Sequence, residues 1–160
     1  MRELVRFRPG AVRDVYVRED AWGTHADVVD AARRATRWVH PVTAEVSAAL
    51  SRDSQGVCAV ASADAVSREL PEPSVGETLV VLAQGRDPGN VGTIIRTADA
   101  FGAVGVITVS GTVEATSPKV VRASAGSVFH IPVCVVSSFE EAHALIRRRS
   151  AALLGTSGGA

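Results

Sequence analysis

Asn90 and Arg96 are the side chains whose type and spacing invite chemistry. They lie in Asn-Val-Gly-Thr-Ile-Ile-Arg-Thr-Ala-Asp-Ala-Phe-Gly, Asn90 to Gly102, entered through Gln84-Gly85-Arg86-Asp87-Pro88-Gly89. An arginine keeps its charge at any ordinary pH and offers a planar fork of donors that matches phosphate and carboxylate oxygens. Placed near the first turns of a helix that follows a glycine loop, an unpaired Arg96 is a candidate anion site.

The elements that must position these residues follow from the pattern. An apolar run, Thr78 to Ala83, precedes the stretch and another, Val104 to Val109, follows it. The order is therefore strand, Gly-rich loop, helix, strand. Asn90 is placed to cap the helix, Val91, Ile94, Ile95, Ala98 and Phe101 share one face, and Gly102 supplies the stop. That face must pack on a sheet, and Arg96 projects from another side.

The alternation continues with a helix from about 118 to 126, a strand from Ile131 to Val136, a helix over 139–149 and a strand from Ala151 to Leu154. Ser117-Pro118 reads as a cap followed by proline at the first helical position, and Ser138 with Glu141 as a capping box. Short apolar strands separated by helices predict a parallel sheet covered on both faces, with ligands at the carboxyl ends of its strands. Gly85, Gly89 and Gly92 follow the first of these strands and Gly155, Gly158 and Gly159 the last, so loops at that edge are built for close backbone approach. They make neither a Gly-x-Gly-x-x-Gly dinucleotide loop nor a phosphate loop ending in Lys-Ser or Lys-Thr.

The first half reads as a smaller α/β unit. Val12 to Val17 alternates like a strand, His25 to Val39 reads as a helix capped by Thr24, Val42 to Leu50 as a second helix, and Val57 to Ala61 as a short buried strand. Arg33, Arg34 and Arg37 cluster on the first helix, near Trp38, with Arg6, Arg8 and Arg13 earlier in the chain. These cations are either a solvated face balanced by Asp14, Asp27 and Asp30 or contacts for RNA phosphate. Trp22 and Trp38 either pack or stack on bases. Ser67 to Glu77, with two prolines, a glycine and four charges, is the expected linker. The organisation is thus a unit over 1–66, a linker over 67–77 and a second unit over 78–160.

Composition narrows the classes. The 160 residues are 46% hydrophobic and 21% charged, enough for a sizeable core. Seventeen basic side chains balance seventeen acidic ones, so net charge argues neither for nor against nucleic acid. No run approaches the roughly 20 apolar residues of a membrane span, and the first residues lack a signal-peptide core; a cytoplasmic protein is expected. Cys58 and Cys134 lie in apolar runs and read as buried thiols. His25, His40, His130 and His143 do not cluster at metal-ligand spacing, and each reads as structural. Arg147, Arg148 and Arg149 end a helix, where they suit its dipole.

The Asn90 to Gly102 stretch resembles the first motif of the SpoU or TrmH-type RNA ribose 2′-O-methyltransferases of the knotted SPOUT superfamily. Asn90, Gly92, Arg96, Ala98, Phe101 and Gly102 meet its fixed positions. Ser117-Pro118-Lys119 and Ala123-Ser124-Ala125-Gly126-Ser127, with Phe129 and Pro132, resemble the segment that comes next. The first half is similar to the family's substrate-binding domain of ribosomal L30e and L7Ae type. The resemblance implies S-adenosylmethionine as cofactor, a ribose 2′-hydroxyl of rRNA or tRNA as substrate, and a homodimer that uses neither metal nor membrane. It also implies catalytic roles for Asn90 and Arg96, cofactor contact at Gly155, Thr156 and Ser157, and RNA contact at Arg33, Arg34, Arg37 and Arg122.

The chemistry suits Arg96. A ribose hydroxyl is a poor nucleophile that must be oriented at the methyl sulfonium and eased of its proton. A permanently protonated arginine is no simple base; it binds phosphate, orients the hydroxyl and stabilises developing negative charge. Asn90 is expected to hold Arg96 or the ribose, or else only to cap the helix, and Arg96 has a surface ion pair as its plain alternative. Two family motifs, a Gly-Glu loop and a Ser-Leu-Asn helix, do not occur before Ala160, and by the resemblance the chain is expected to start inside the family's first helix. The expectation is that residues 1–160 alone bind S-adenosylmethionine weakly or not at all and lack the knot. A non-catalytic RNA-binding protein is the second reading, and a nucleotide-binding α/β domain unrelated to RNA the third.

Overall fold

The computed structural model describes residues 1–72 and 76–148, together with 152, 154 and 155. Two three-stranded sheets organise them. The first has the order β2-β1-β3 and the second β4-β5-β6.

In the first sheet, β1 (Val12–Arg18) is the centre, parallel to β2 (Val39–Val42) and antiparallel to β3 (Val57–Ala61). A register shift between Val12 and Asp14 lets Val12, Val15 and Val17 all point to the core despite their uneven spacing. Helix α1 (Arg2–Phe7) and helix α2 (Ala26–Ala35) supply Leu4, Val5, Val29 and Ala32 to that same core. Helix α3 (Ala44–Leu50) follows β2.

The predicted helix from His25 to Val39 is shorter than the pattern implied. Thr36 ends it: its hydroxyl donates to the Arg13 carbonyl at 2.8 Å and accepts the Trp38 N–H at 3.2 Å, drawing the chain into β2. His25, not Thr24, occupies the cap position, without a side-chain capping bond. Val42 belongs to the strand, and Thr43 caps α3 by accepting from the Val46 N–H at 3.4 Å.

In the second sheet β4 (Leu79–Leu82), β5 (Gly105–Val109) and β6 (Val133–Val136) run parallel. Helix α4 (Pro88–Ala100) and helix α5 (Pro118–Ala123) follow β4 and β5, and helix α6 (Phe139–Arg148) follows β6. Neighbouring residues of β5 face opposite cores. Val106 joins Val91, Ile95, Val120 and Val133, whereas Ile107 joins Val109, Val136 and Ala142 of α6. The sheet is covered on both faces, as the apolar strands predicted.

One boundary and one burial differ here. Helix α5 stops at Ala123 because Ala125 and Gly126 adopt positive φ, +52° and +97°, and a 3-10 turn, Ser127–Phe129, follows. A Cβ on Gly126 would also lie 2.7 Å from Glu3 Cβ, so glycine there admits α1. Cys58 and Cys134 are half-buried rather than buried, since β3 and β6 are edge strands. The strand predicted over 151–154 falls mostly outside the described residues, and Ala152 and Leu154 belong to no strand.

The two sheets share one core. Leu4 and Val5 of α1 cluster with Val120, Val128 and Phe129, and the Arg8 Nε donates to the Phe129 carbonyl at 3.1 Å. Within the predicted linker, Ser67 accepts the Val133 N–H at 2.8 Å and Leu70 packs beside Ile107.

Candidate active site

Helix α4 begins two residues before Asn90. Pro88 takes the first helical position, where no N–H is needed, and Asp87 is the cap, its Oδ1 accepting the Asn90 N–H at 2.7 Å. The expected capping role of Asn90 is thereby corrected: a carboxylate beside proline satisfies the helix start one turn earlier. Asn90 is exposed, and its side chain is not occupied in capping.

The loop before α4 is tied to the loop after β5. Val113 N–H donates to the Gly85 carbonyl at 2.8 Å, and Gly85 N–H to Thr112 Oγ1 at 3.4 Å. These bonds gather Gln84 to Asn90 and Ser110 to Val113 at the carboxyl edge of the sheet. Ser137, after β6, lies at the same edge, bonded through its hydroxyl and N–H to Glu141. That carboxylate, fixed by Ser137, is held below the ordinary glutamate range. Of the expected capping box, the Glu141 N–H reaches Ser138 Oγ at 3.3 Å, while the Glu141 carboxylate reaches back to Ser137 instead of Ser138.

Gly92 serves a helix contact. A Cβ there would lie 2.5 Å from Ala123 Cβ and 2.7 Å from the Val120 carbonyl oxygen, so α4 lies directly on α5. The expected role of this glycine in loop approach is corrected accordingly. Val91, Ile95 and Ala98 are buried as predicted, but Phe101, past the helix end, is 87% exposed. Gly102 makes the predicted stop at φ +71°.

Arg96 is exposed and forms no ion pair with any described residue. Its natural helical partner would be Asp99, three residues on. Asp99 is taken instead by His130: Nδ1 lies 2.8 Å from Asp99 Oδ2, and Nε2 lies 2.8 Å from Glu3 Oε2. The ring also packs 4.1 Å from the Phe7 ring. Both nitrogens donate only in the protonated imidazole. This bridge joins α1, α4 and the turn before β6. Sequence reasoning gave His130 a structural role without its partners, because Glu3, Asp99 and His130 come from three distant segments.

Asn90 and Arg96 do not hold each other. Six helical residues separate them, roughly 9 Å along the axis and about 120° around it. A ligand touching both must lie across the helix surface.

The other predicted residues are dispersed. Arg33 stacks over Trp22 at 5.1 Å and Arg37 over Trp38 at 4.8 Å, while Arg34 is exposed beside them. Arg122 lies on α5 and pairs with Asp53 at 2.9 Å. This pair lines a cleft of about 1000 Å³ between β3, α1 and α5 that includes neither Asn90 nor Arg96. Gly155 is exposed with open space around it, and Thr156 and Ser157 lie outside the described residues. Among the described residues no group of acids, histidines and cysteines could hold a metal, and no helix is long and apolar enough to cross a membrane.

A parallel α/β sheet with an exposed, uncommitted arginine on the helix after its first strand is the arrangement to be placed among known proteins. The family model described as SpoU rRNA Methylase family matches residues 77–160, and the chain belongs to that family. The 23S rRNA (guanosine-2′-O-)-methyltransferase RlmB of Bordetella pertussis is 30% identical over 159 residues, covering 95% of this chain and 65% of its own. The 23S rRNA (guanosine(2553)-2′-O)-methyltransferase RlmP of Bacillus subtilis is 54% identical over 48 residues, 30% of this chain and 19% of its own. Among solved structures, the AdoMet-bound rRNA methyltransferase from Sinorhizobium meliloti superposes with a TM-score of 0.71 at 29% identity, covering 94% of this chain and 55% of that one. The chain spans 65% of the length of the Bordetella relative and 55% of that of the Sinorhizobium structure.

Proposed function

We propose that the protein transfers a methyl group from S-adenosylmethionine to a ribose 2′-hydroxyl of rRNA or tRNA. Membership of the SpoU family supports this reading, as do relatives whose names specify 2′-O-methylation of 23S rRNA. The observation that carries it is Arg96, an exposed guanidinium whose neighbouring acid is held by His130. A cation left unpaired on a packed helix is free to take an anion.

S-adenosylmethionine, when bound, supplies an electrophilic methyl group. In this proposal Arg96 grips the phosphate beside the target ribose, aligns the 2′-hydroxyl and stabilises the charge that grows on its oxygen. Asn90, with its side chain free of capping duty, hydrogen-bonds the ribose. Arg34 and Arg37 meet RNA on the first sheet, joined by Arg33, while Arg122 does so only by exchanging Asp53 for phosphate. Gly155, Thr156 and Ser157 contact the cofactor. By family resemblance the protein acts as a homodimer in the cytoplasm.

Transfer of labelled methyl from S-adenosylmethionine to total RNA by the full-length protein tests the reading, with the product ribose mapped. Label at a 2′-O position is the expected result. Label only on a base, or none above background, overturns it.

A further inference from the structure

The bridge at His130 depends on a proton. Its ring lies between Asp99 of α4 and Glu3 of α1, with Nδ1 2.8 Å from Asp99 Oδ2 and Nε2 2.8 Å from Glu3 Oε2. An ionised carboxylate only accepts, so the ring satisfies both acids only as the imidazolium, with an N–H on each nitrogen. A neutral ring keeps one N–H and turns a lone pair on the other carboxylate. Histidine is the side chain whose charge ordinarily changes near neutral pH, so this contact has two states within the physiological range.

The neutral state releases Asp99 rather than Glu3. The tautomer with its N–H on Nε2 is the favoured form of a neutral imidazole, and here Nε2 faces Glu3. The charges around the ring point the same way. On α1, Arg2 pairs with Asp27, Arg6 lies over the Phe7 ring at 5.1 Å, and Arg8 donates to the Phe129 carbonyl at 3.1 Å. The Met1 amine interacts with Glu3. These cations are therefore engaged away from Asp99. The 3-10 turn Ser127–Phe129 carries no charged side chain. On α4, Arg96 is exposed, in no ion pair among the described residues, and three positions before Asp99. A freed Asp99 thus finds a partner one turn back along its own helix.

We propose that His130 is a positioning residue that acts as a proton-operated catch on Arg96. Protonated, it holds Asp99 toward α1 and leaves the guanidinium open to phosphate. When the Nδ1 proton passes to solvent, Asp99 turns to Arg96 and competes with the phosphate. This rests on the anion-binding role proposed for Arg96 and adds its regulation: the grip on phosphate weakens as pH rises.

The test is a titration of the full-length protein with sulfate from about pH 5 to pH 8, the range in which a histidine ordinarily changes charge and sulfate does not. NMR follows the Arg96 Nε–H and the His130 ring. Sulfate should bind about threefold more weakly at the upper end, with the change centred where the ring titrates. Asp99→Asn, whose amide forms no ion pair with the guanidinium, should hold the affinity nearly constant across the range. His130→Gln, which cannot titrate, should show the weaker affinity throughout. An unchanged affinity while the ring titrates, a ring that does not titrate in this range, or an Arg96 resonance that sulfate never moves overturns the proposal. So does an undiminished pH dependence in Asp99→Asn, which would mean that the histidine charge acts on the anion directly. None of these readouts requires methyl transfer, so a failure of the enzymatic reading registers separately.

Discussion

The two sheets solve opposite problems. The β4-β5-β6 sheet is parallel and covered on both faces, so a ligand meets it only at the loop edge and along the helices that cover it. The β2-β1-β3 sheet is mixed and buries Val15 and Val17 on one side, while Tyr16 and His40 are half-buried and Trp38 beside them is exposed. A covered sheet positions single side chains rigidly, which suits chemistry. A half-open sheet offers a surface, which suits holding a long substrate.

Gly92→Ala breaks the comparison on the covered side. Alanine is better than glycine in a helix by about 1 kcal/mol, yet its Cβ would meet backbone atoms of α5 at 2.7 and 2.8 Å. A net loss of about 2 kcal/mol is expected in urea unfolding. A gain in stability would mean that α4 and α5 do not lie as closely as described.

His130→Ala probes the joint between the two sheets. It leaves Glu3 and Asp99 without their shared donor, at an expected cost of about 1–2 kcal/mol. A double-mutant cycle with Glu3→Gln should show coupling; additive effects would show that the bridge contributes nothing. Released Asp99 is also placed to pair with Arg96, so weaker phosphate binding should accompany the loss.

The smallest effect belongs to Glu141 at the start of α6. Its carboxyl is held low by Ser137, so the bond it makes is present at neutral pH and is lost as pH falls through that depressed value, below the ordinary glutamate range. The Ser137 amide shift, followed by NMR, should titrate there. Titration at an ordinary glutamate value would dissolve the contact.

Much of the covered sheet was legible in the sequence because its signals are local. Apolar runs marked β4, β5 and β6, and the glycine after Phe101 marked the end of α4. The errors arose where a side chain acts on a distant backbone. Thr36 ends α2 through the Arg13 carbonyl, and no periodicity announces that bond. Asn90 looked like a cap, but Asp87-Pro88 satisfied the helix earlier. At the site, Arg96 stood out by type and place, whereas its freedom depends on His130, Asp99 and Glu3 meeting from three segments. Trp38 could be named but not placed beside other rings, because Tyr16 meets His40, the ring next to Trp38, only through sheet pairing.

The most direct measurement is the methyl-transfer rate of Arg96→Ala in the full-length protein, beside its melting temperature. Arg96 is exposed and bears no packing load, so folding should be unchanged. A loss of about a hundredfold or more in kcat/KM is expected, with Arg96→Lys recovering part of it. Wild-type rates in a folded Arg96→Ala protein would contradict the role given to this guanidinium.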